Sequence, residues 1–94
     1  MLRRRSNRLT LFSMSFAFDI LYKLPRDPAR ERRLTSEVSA HGGHLDHAEE
    51  TTIENVSSTA CLTYEFDDLS VAEQCAIVLR GQGEHVEGPY EYGG

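Results

Sequence analysis

Tryptophan is absent from the 94 residues, and cysteine occurs only as Cys61 and Cys75. Two cysteines cannot build the multi-bridge framework that staples small secreted domains, and their spacing matches no zinc-binding pair. No stretch approaches the roughly 18 consecutive apolar residues that a membrane helix needs, so no spanning segment is expected. Bases are scarce in the second half: residues 43 to 94 hold eleven acids and one base, Arg80. An acidic body repels phosphate, and nucleic acid is therefore not an expected partner unless the early arginines alone supply the contact. Phosphate-binding loops, the nucleophile elbow of hydrolases, the HExxH zinc helix and the EF-hand spacing are also missing. Gly81, Gly83 and Gly88 follow a predicted helix and precede a predicted strand, the reverse of the order that cradles a dinucleotide, and read as turn residues.

What is present suits one ordinary folded domain. Hydrophobic residues make up 39%, with four Phe and four Tyr, and charged residues 27%. A chain of this length buries roughly 60 to 65% of the surface its unfolded form would expose, enough for a single modest core. The net charge of -5 hides an uneven layout. Arg3, Arg4, Arg5 and Arg8 open the chain, and Lys23, Arg26, Arg30, Arg32 and Arg33 form a second basic group.

The opening MLRRRSNRLTLFSMSFAFDILYKL has two readings. A basic start followed by an apolar run has the outline of a secretory signal, but no small-residue cleavage motif follows before Asp19. The second half, SFAFDILYKL, alternates with period 2: Phe16, Phe18, Ile20, Tyr22 and Leu24 share one face, and Ala17, Asp19, Leu21 and Lys23 the other. We therefore expect a disordered basic extension over residues 1 to 13, with Met14 a plausible working start, and one α+β domain over residues 14 to 94. Without that extension six bases face fifteen acids, a net of -9.

Further elements follow in order. Asp27 reads as an N-cap with Pro28 at the first helical position and Gly42 and Gly43 as the stop, enclosing a helix whose only apolar residues are Ala29, Leu34, Val38 and Ala40. A weak acidic strand is expected over Thr51 to Val56, then a turn at Asn55 to Ser58. The next strand runs from Ala60 to Phe66, with Ala60, Leu62, Tyr64 and Phe66 on one face and Cys61, Thr63 and Glu65 on the other. The clearest helix signal is DDLSVAEQCAIVLRGQG, where Ser70 and Glu73 have capping-box spacing and Ala72, Cys75, Ala76 and Leu79 make a buried stripe. A last strand from His85 to about Tyr92 carries Gly88 and Pro89, which confines it to a sheet edge.

The order βαββαβ resembles the ferredoxin-like superfold. That resemblance implies a two-layer sandwich: a four-stranded antiparallel sheet in the order 4-1-3-2 with both helices on one face. It carries no function with it. The stretch YEFDDLSVAEQCAIVLRGQGEHVEG is also similar to the strand-helix-strand half of ribonuclease E inhibitor B type domains, and no residue role is transferred from that likeness. RNA-binding domains share the βαββαβ order, but here the strand aromatics are needed for the core and the opposite face carries Asp19 and Glu65.

Three functional readings follow, in order of preference. The first is a non-catalytic, cytoplasmic protein-binding or regulatory module without a cofactor. It would use the open sheet face (Asp19, Lys23, Cys61, Thr63 and Glu65) and the tail residues Tyr90 and Tyr92, with a basic protein or a second copy as partner. The second is a metal-responsive binding protein built on His41, His44 and His47 in HGGHLDHAEE. Against it, His41 should end the first helix while His44 and His47, in an extended segment, should point to opposite faces. The third is a small cysteine-dependent enzyme using Cys61, for which His85 would stand two strands away, about 10 Å.

Overall fold

A computed structural model describes residues 14 to 53 and 57 to 93. The proposed extension over residues 1 to 13, and with it the question of the working start, lies outside the described residues, as do Asn55 and Val56 of the predicted turn. The elements are β1 (Phe16–Lys23), α1 (Pro28–Ala40), β2 (His44–Ile53), β3 (Ser57–Phe66), α2 (Leu69–Gly81) and β4 (His85–Glu91). Their order is the expected βαββαβ. The strands form one sheet in the order β2-β3-β1-β4, which is 4-1-3-2 read from the other edge, and all three neighbouring pairs are antiparallel.

β1 is paired on both sides. Phe18 lies opposite Tyr64, and Ile20 opposite Leu62, so one face of the two central strands is continuous apolar surface. Phe18, Ile20, Tyr22, Ala60, Leu62, Tyr64 and Phe66 join Leu34 and Val38 of α1, Ala72, Cys75, Ala76 and Leu79 of α2, and Val86 of β4 in one buried cluster. Phe18 and Phe66 meet with ring centroids 5.2 Å apart, a tilted geometry that aromatic pairs favour. The α2 stripe read from the sequence is buried in full. Phe16, expected in the core, is only half-buried because it opens the strand, and Ala17, expected on the open face, is fully buried opposite Tyr90.

Two local expectations need correction. α2 is capped by Asp68, not by the Ser70 and Glu73 pair: the Asp68 carboxylate accepts from the Val71 amide at 3.1 Å and from the Ser70 hydroxyl at 2.7 Å. Those donors hold its acid strength above that of an ordinary aspartate. A charged oxygen at a helix N-terminus is favoured by the exposed amides and the dipole, which moves the start two residues earlier. Secondly, β2 begins at His44 rather than at Thr51. A bulge between Leu45 and His47 interrupts its pairing. The bulge places Leu45 opposite Tyr64 and Ala48 opposite Leu62, so two apolar residues three apart share a face, and strict alternation misses the strand.

α1 contributes only Leu34 and Val38 to the core, and polar contacts hold the rest of it. The Tyr22 hydroxyl donates to the Glu31 carboxylate, which also takes the Arg26 guanidinium as a fork at 2.6 and 2.7 Å. That fork keeps the Glu31 carboxyl below the usual carboxylate range. The Arg30 guanidinium lies 4.6 Å from the Tyr22 ring centre, and Arg30 and Arg33 pair with the buried Glu84 carboxylate at 2.8 and 3.1 Å. At the C-terminal end Gly43 lets the chain turn against the core: a Cβ there would stand 2.6 Å from the Phe66 ring and 2.7 Å from Val38 Cγ1.

Leu34→Ala should therefore cost about 2 to 5 kcal/mol of stability, read as a lower urea midpoint with an unchanged slope. Gly43→Ala should cost about 1 to 3 kcal/mol through overpacking. Ile77→Ala, at a side chain 60% exposed, should stay within about 0.5 kcal/mol of wild type.

Candidate functional site

With alternate residues of β1 and β3 committed to the core, Asp19, Leu21, Lys23, Cys61, Thr63 and Glu65 are left on the other face. β4 adds His85 opposite Leu21 and Glu87 opposite Asp19, and then an irregularity between Ala17 and Asp19 brings Tyr90 opposite Ala17. Gly88, at φ +114, makes this shift possible, because a Cβ there would approach the Ala17 carbonyl to 3.0 Å. Beyond β4 the Tyr92 amide donates to the Ser15 carbonyl at 2.9 Å, and the Ser15 amide to the Gly93 carbonyl at 2.8 Å. The tail is thus stitched to the start of β1 and not loose.

These constraints gather most of the expected binding residues into one patch. The Asp19 carboxylate accepts from the Thr63 hydroxyl at 2.7 Å and from the Tyr90 hydroxyl at 2.9 Å. The Tyr92 hydroxyl donates to Asp46 on β2, and the Tyr90 and Tyr92 rings meet edge to face at 6.2 Å. Glu65, on β3, faces His44 across the strand pair at 3.1 Å. Lys23 is not part of this patch. It lies opposite Thr59 at the other end of β1, four residues or about 13 Å along the strand from Asp19.

The histidines are distributed differently from the expectation. His44 and His47 were expected on opposite faces, but the bulge at Asp46 supplies one extra residue between them, so both stand on the open face, opposite Glu65 and Thr63. His41 does not join them. It caps α1, with Nδ1 donating to the Glu37 carbonyl at 3.0 Å. The set His41, His44 and His47 therefore does not converge. Among the described residues the group whose ligand atoms come together is His44, Asp46 and Glu65. Asp46 stands beside the histidines in HGGHLDHAEE, but the bulge decides its orientation, and Glu65, on another strand, could not be grouped with it from the sequence. His47 and Glu49, and His85 and Glu87, make further exposed pairs at 3.0 and 2.9 Å, of the kind that adds little stability.

The electrostatics of the face are unfavourable to thiol chemistry. Burial pushes the Cys61 thiol up, and the negative charge of Asp19, with Glu49 and Glu87 beyond it, adds to the rise. A nucleophilic cysteine needs the opposite, a cationic neighbour that favours thiolate. His85 and Cys61 are both paired with Leu21 from opposite sides, so a strand separates them. Cys75, in the core, is pushed up to about 11 by burial.

Three residues of the second basic group are engaged in ion pairs. Arg26, Arg30 and Arg33 are engaged with Glu31 and Glu84, and Arg80 donates to the Val86 and Gly88 carbonyls at 2.9 and 2.8 Å. Among the described residues no helix is long and apolar enough to cross a membrane.

No known protein family matches the sequence, and no curated protein is similar to it; the local likeness to ribonuclease E inhibitor B type domains gains no support. Among solved structures the chain is similar to a de novo designed protein, Foldit4. The identity is 19% and the TM-score 0.51, and the match covers 78% of this chain and 91% of that one. The likeness is one of fold and brings no activity with it.

The phenols report on the patch. Hydrogen bonding to Asp46 is the main reason that Tyr92 is pushed up to about 12, and burial, followed by Asp19, raises Tyr90. A phenol raised in the folded state stabilises the fold fully below the unfolded value of about 10, and this contribution disappears as pH climbs through the folded value. An alkaline titration followed by the tyrosine ring carbon shifts should show Tyr92 ionising near 12, and Asp46→Ala should return it toward about 10. Iodoacetamide should alkylate Cys61 more slowly than free cysteine at mildly alkaline pH, and Asp19→Asn should speed the reaction.

Proposed function

We propose that the chain is a non-catalytic binding module that engages a basic protein segment through its open sheet face. We read the architecture as a ferredoxin-like two-layer sandwich, in which both helices cover one face of the sheet and leave the other to solvent and partners. The observation that carries the reading is the charge of that uncovered face. Asp19, Glu49, Glu65 and Glu87 stand on it with Asp46 beside Glu65, against a single lysine among the described residues, Lys23, at its far end. A concentration of one sign on one surface steers an oppositely charged partner and fixes its orientation.

The patch has contact chemistry as well as charge. Tyr90 and Tyr92, 37% and 41% exposed, are held in place by their hydroxyl bonds to Asp19 and Asp46. Rigid aromatic side chains with a polar tip bind at low entropic cost. Arginine suits such a face, since its guanidinium pairs with carboxylates and stacks on rings. The free thiols of Cys61 and Cys75 fit a reducing, cytoplasmic setting. The raised Cys61 thiol argues against the cysteine-enzyme reading.

A short arginine-rich peptide titrated into the protein should shift the amides of Asp19, Thr63, Glu65 and Tyr90 to Tyr92. Its affinity should drop about tenfold or more between about 0.05 and 0.5 M salt. Shifts confined to the outer surfaces of α1 or α2, or an affinity indifferent to salt, would sink the proposal. Concentration-dependent shifts of the same amides without peptide would identify a second copy as the partner.

A further inference from the structure

Asp46 and Glu65 raise a problem that the binding reading leaves open. Two carboxylates are brought together at one end of the open face with no lysine or arginine among the described residues beside them. Lys23 is at the opposite end of β1. Arg26, Arg30, Arg32 and Arg33 lie on or just before α1, and Arg80 is turned to the β4 backbone. What accompanies the carboxylates is an imidazole, His44.

We propose that His44, Asp46 and Glu65 form a binding site for a divalent transition-metal ion of the zinc, cobalt or nickel kind. One ligand atom from each lies within 4.8 Å of the other two. His44 Nε2 and Glu65 Oε1 are already 3.1 Å apart. Two donors each about 2.1 Å from a zinc ion at a tetrahedral angle are separated by about 3.4 Å, so this pair needs almost no adjustment and Asp46 only a small rotation.

Three features make this more than a chance grouping of acids. The donors come from two strands held in fixed register, with His44 directly opposite Glu65. The β2 bulge turns Asp46 toward them, and bulges commonly re-aim a side chain in this way. Lastly, the Tyr92 hydroxyl binds one oxygen of Asp46, the outer contact that orients a metal-ligating carboxylate and leaves its other oxygen to the ion. One imidazole nitrogen with two carboxylates favours borderline metals over magnesium or calcium, which prefer all-oxygen sets. The exposure of His44 and Asp46 leaves the remaining coordination positions to water or to a donor from outside. The site does not depend on the basic-partner reading, since it can bind its ion whether or not the face binds a peptide.

Zinc chloride added to the full chain at neutral pH tests this directly, with calorimetry for stoichiometry and imidazole resonances for location. One equivalent should bind, with the His44 ring resonances shifting to saturation and those of His41 unmoved; an equal excess of magnesium should leave them in place. His44→Ala and Glu65→Gln should each weaken binding at least tenfold, and Tyr92→Phe, acting through Asp46, about tenfold. His41→Ala and His47→Ala should bind as wild type. Each variant's amide spectrum reports whether it folds, and the wild-type titration alone locates the ion without any variant. No saturable binding, equal shifts at all four histidines, or undiminished binding by folded His44→Ala would overturn the assignment.

Discussion

The register of β1 between β3 and β4 is the constraint from which the rest of the molecule follows. β1 is hydrogen-bonded along both edges, and its side chains alternate faces, so Phe18, Ile20 and Tyr22 face the helices while Asp19 and Leu21 face away. A slip of one residue would exchange these sets, burying Asp19 and exposing Phe18. The same pairing brings Thr63 to Asp19 and Tyr90 to Ala17, and therefore positions the candidate site as well as the core.

α1 shows how a helix with little apolar surface is retained. Its docking depends on Leu34 and Val38, and around them on a polar set that runs from Tyr22 through Glu31 and Arg26 to Arg30, Arg33 and Glu84. A carboxylate as buried as Glu84 is tolerable only with its charge paired, and two guanidiniums meet that need. As sequence, PRDPARERR reads as a wet basic patch; folded, Arg30 and Arg33 tie α1 to Glu84, just before β4, and Arg26 ties the preceding segment to Glu31. Among the described residues the acids of the open face have no equivalent set of internal cations, so that face carries net negative charge.

Legibility from the sequence varied with how local the deciding interaction was. The α2 stripe, the Asp27 cap and the alternation in FAFDILYK depend on neighbours within a turn or two, and they were readable. The start of β2 was not. A bulge breaks the period that a strand is recognised by, and it brings Leu45 and Ala48, three residues apart, opposite Tyr64 and Leu62 of β3. The error carried over into the site: His44 and His47 were placed on opposite faces, His41 was grouped with them, and Glu65 was not. Asp19, Thr63 and Glu65, by contrast, share the open face, since simple alternation in β1 and β3 determines it, whereas the meeting of Tyr90 with Asp19 depends on the register shift in the β1–β4 pairing. Lys23 lies on the same face but at its far end, a matter of distance along the strand that alternation cannot express.

By itself the sequence determined the element order, the apolar faces of β1, β3 and α2, the edge position of β4 and the acidic character of the second half, because each follows from local periodicity, turn chemistry or composition. Only the tertiary structure decided that His44 meets Glu65, that Arg30 and Arg33 pair with Glu84, and that the Tyr90 and Tyr92 hydroxyls close over Asp19 and Asp46. Those outcomes depend on residues far apart in the chain, brought together by strand register and one bulge, and no window of sequence contains both partners.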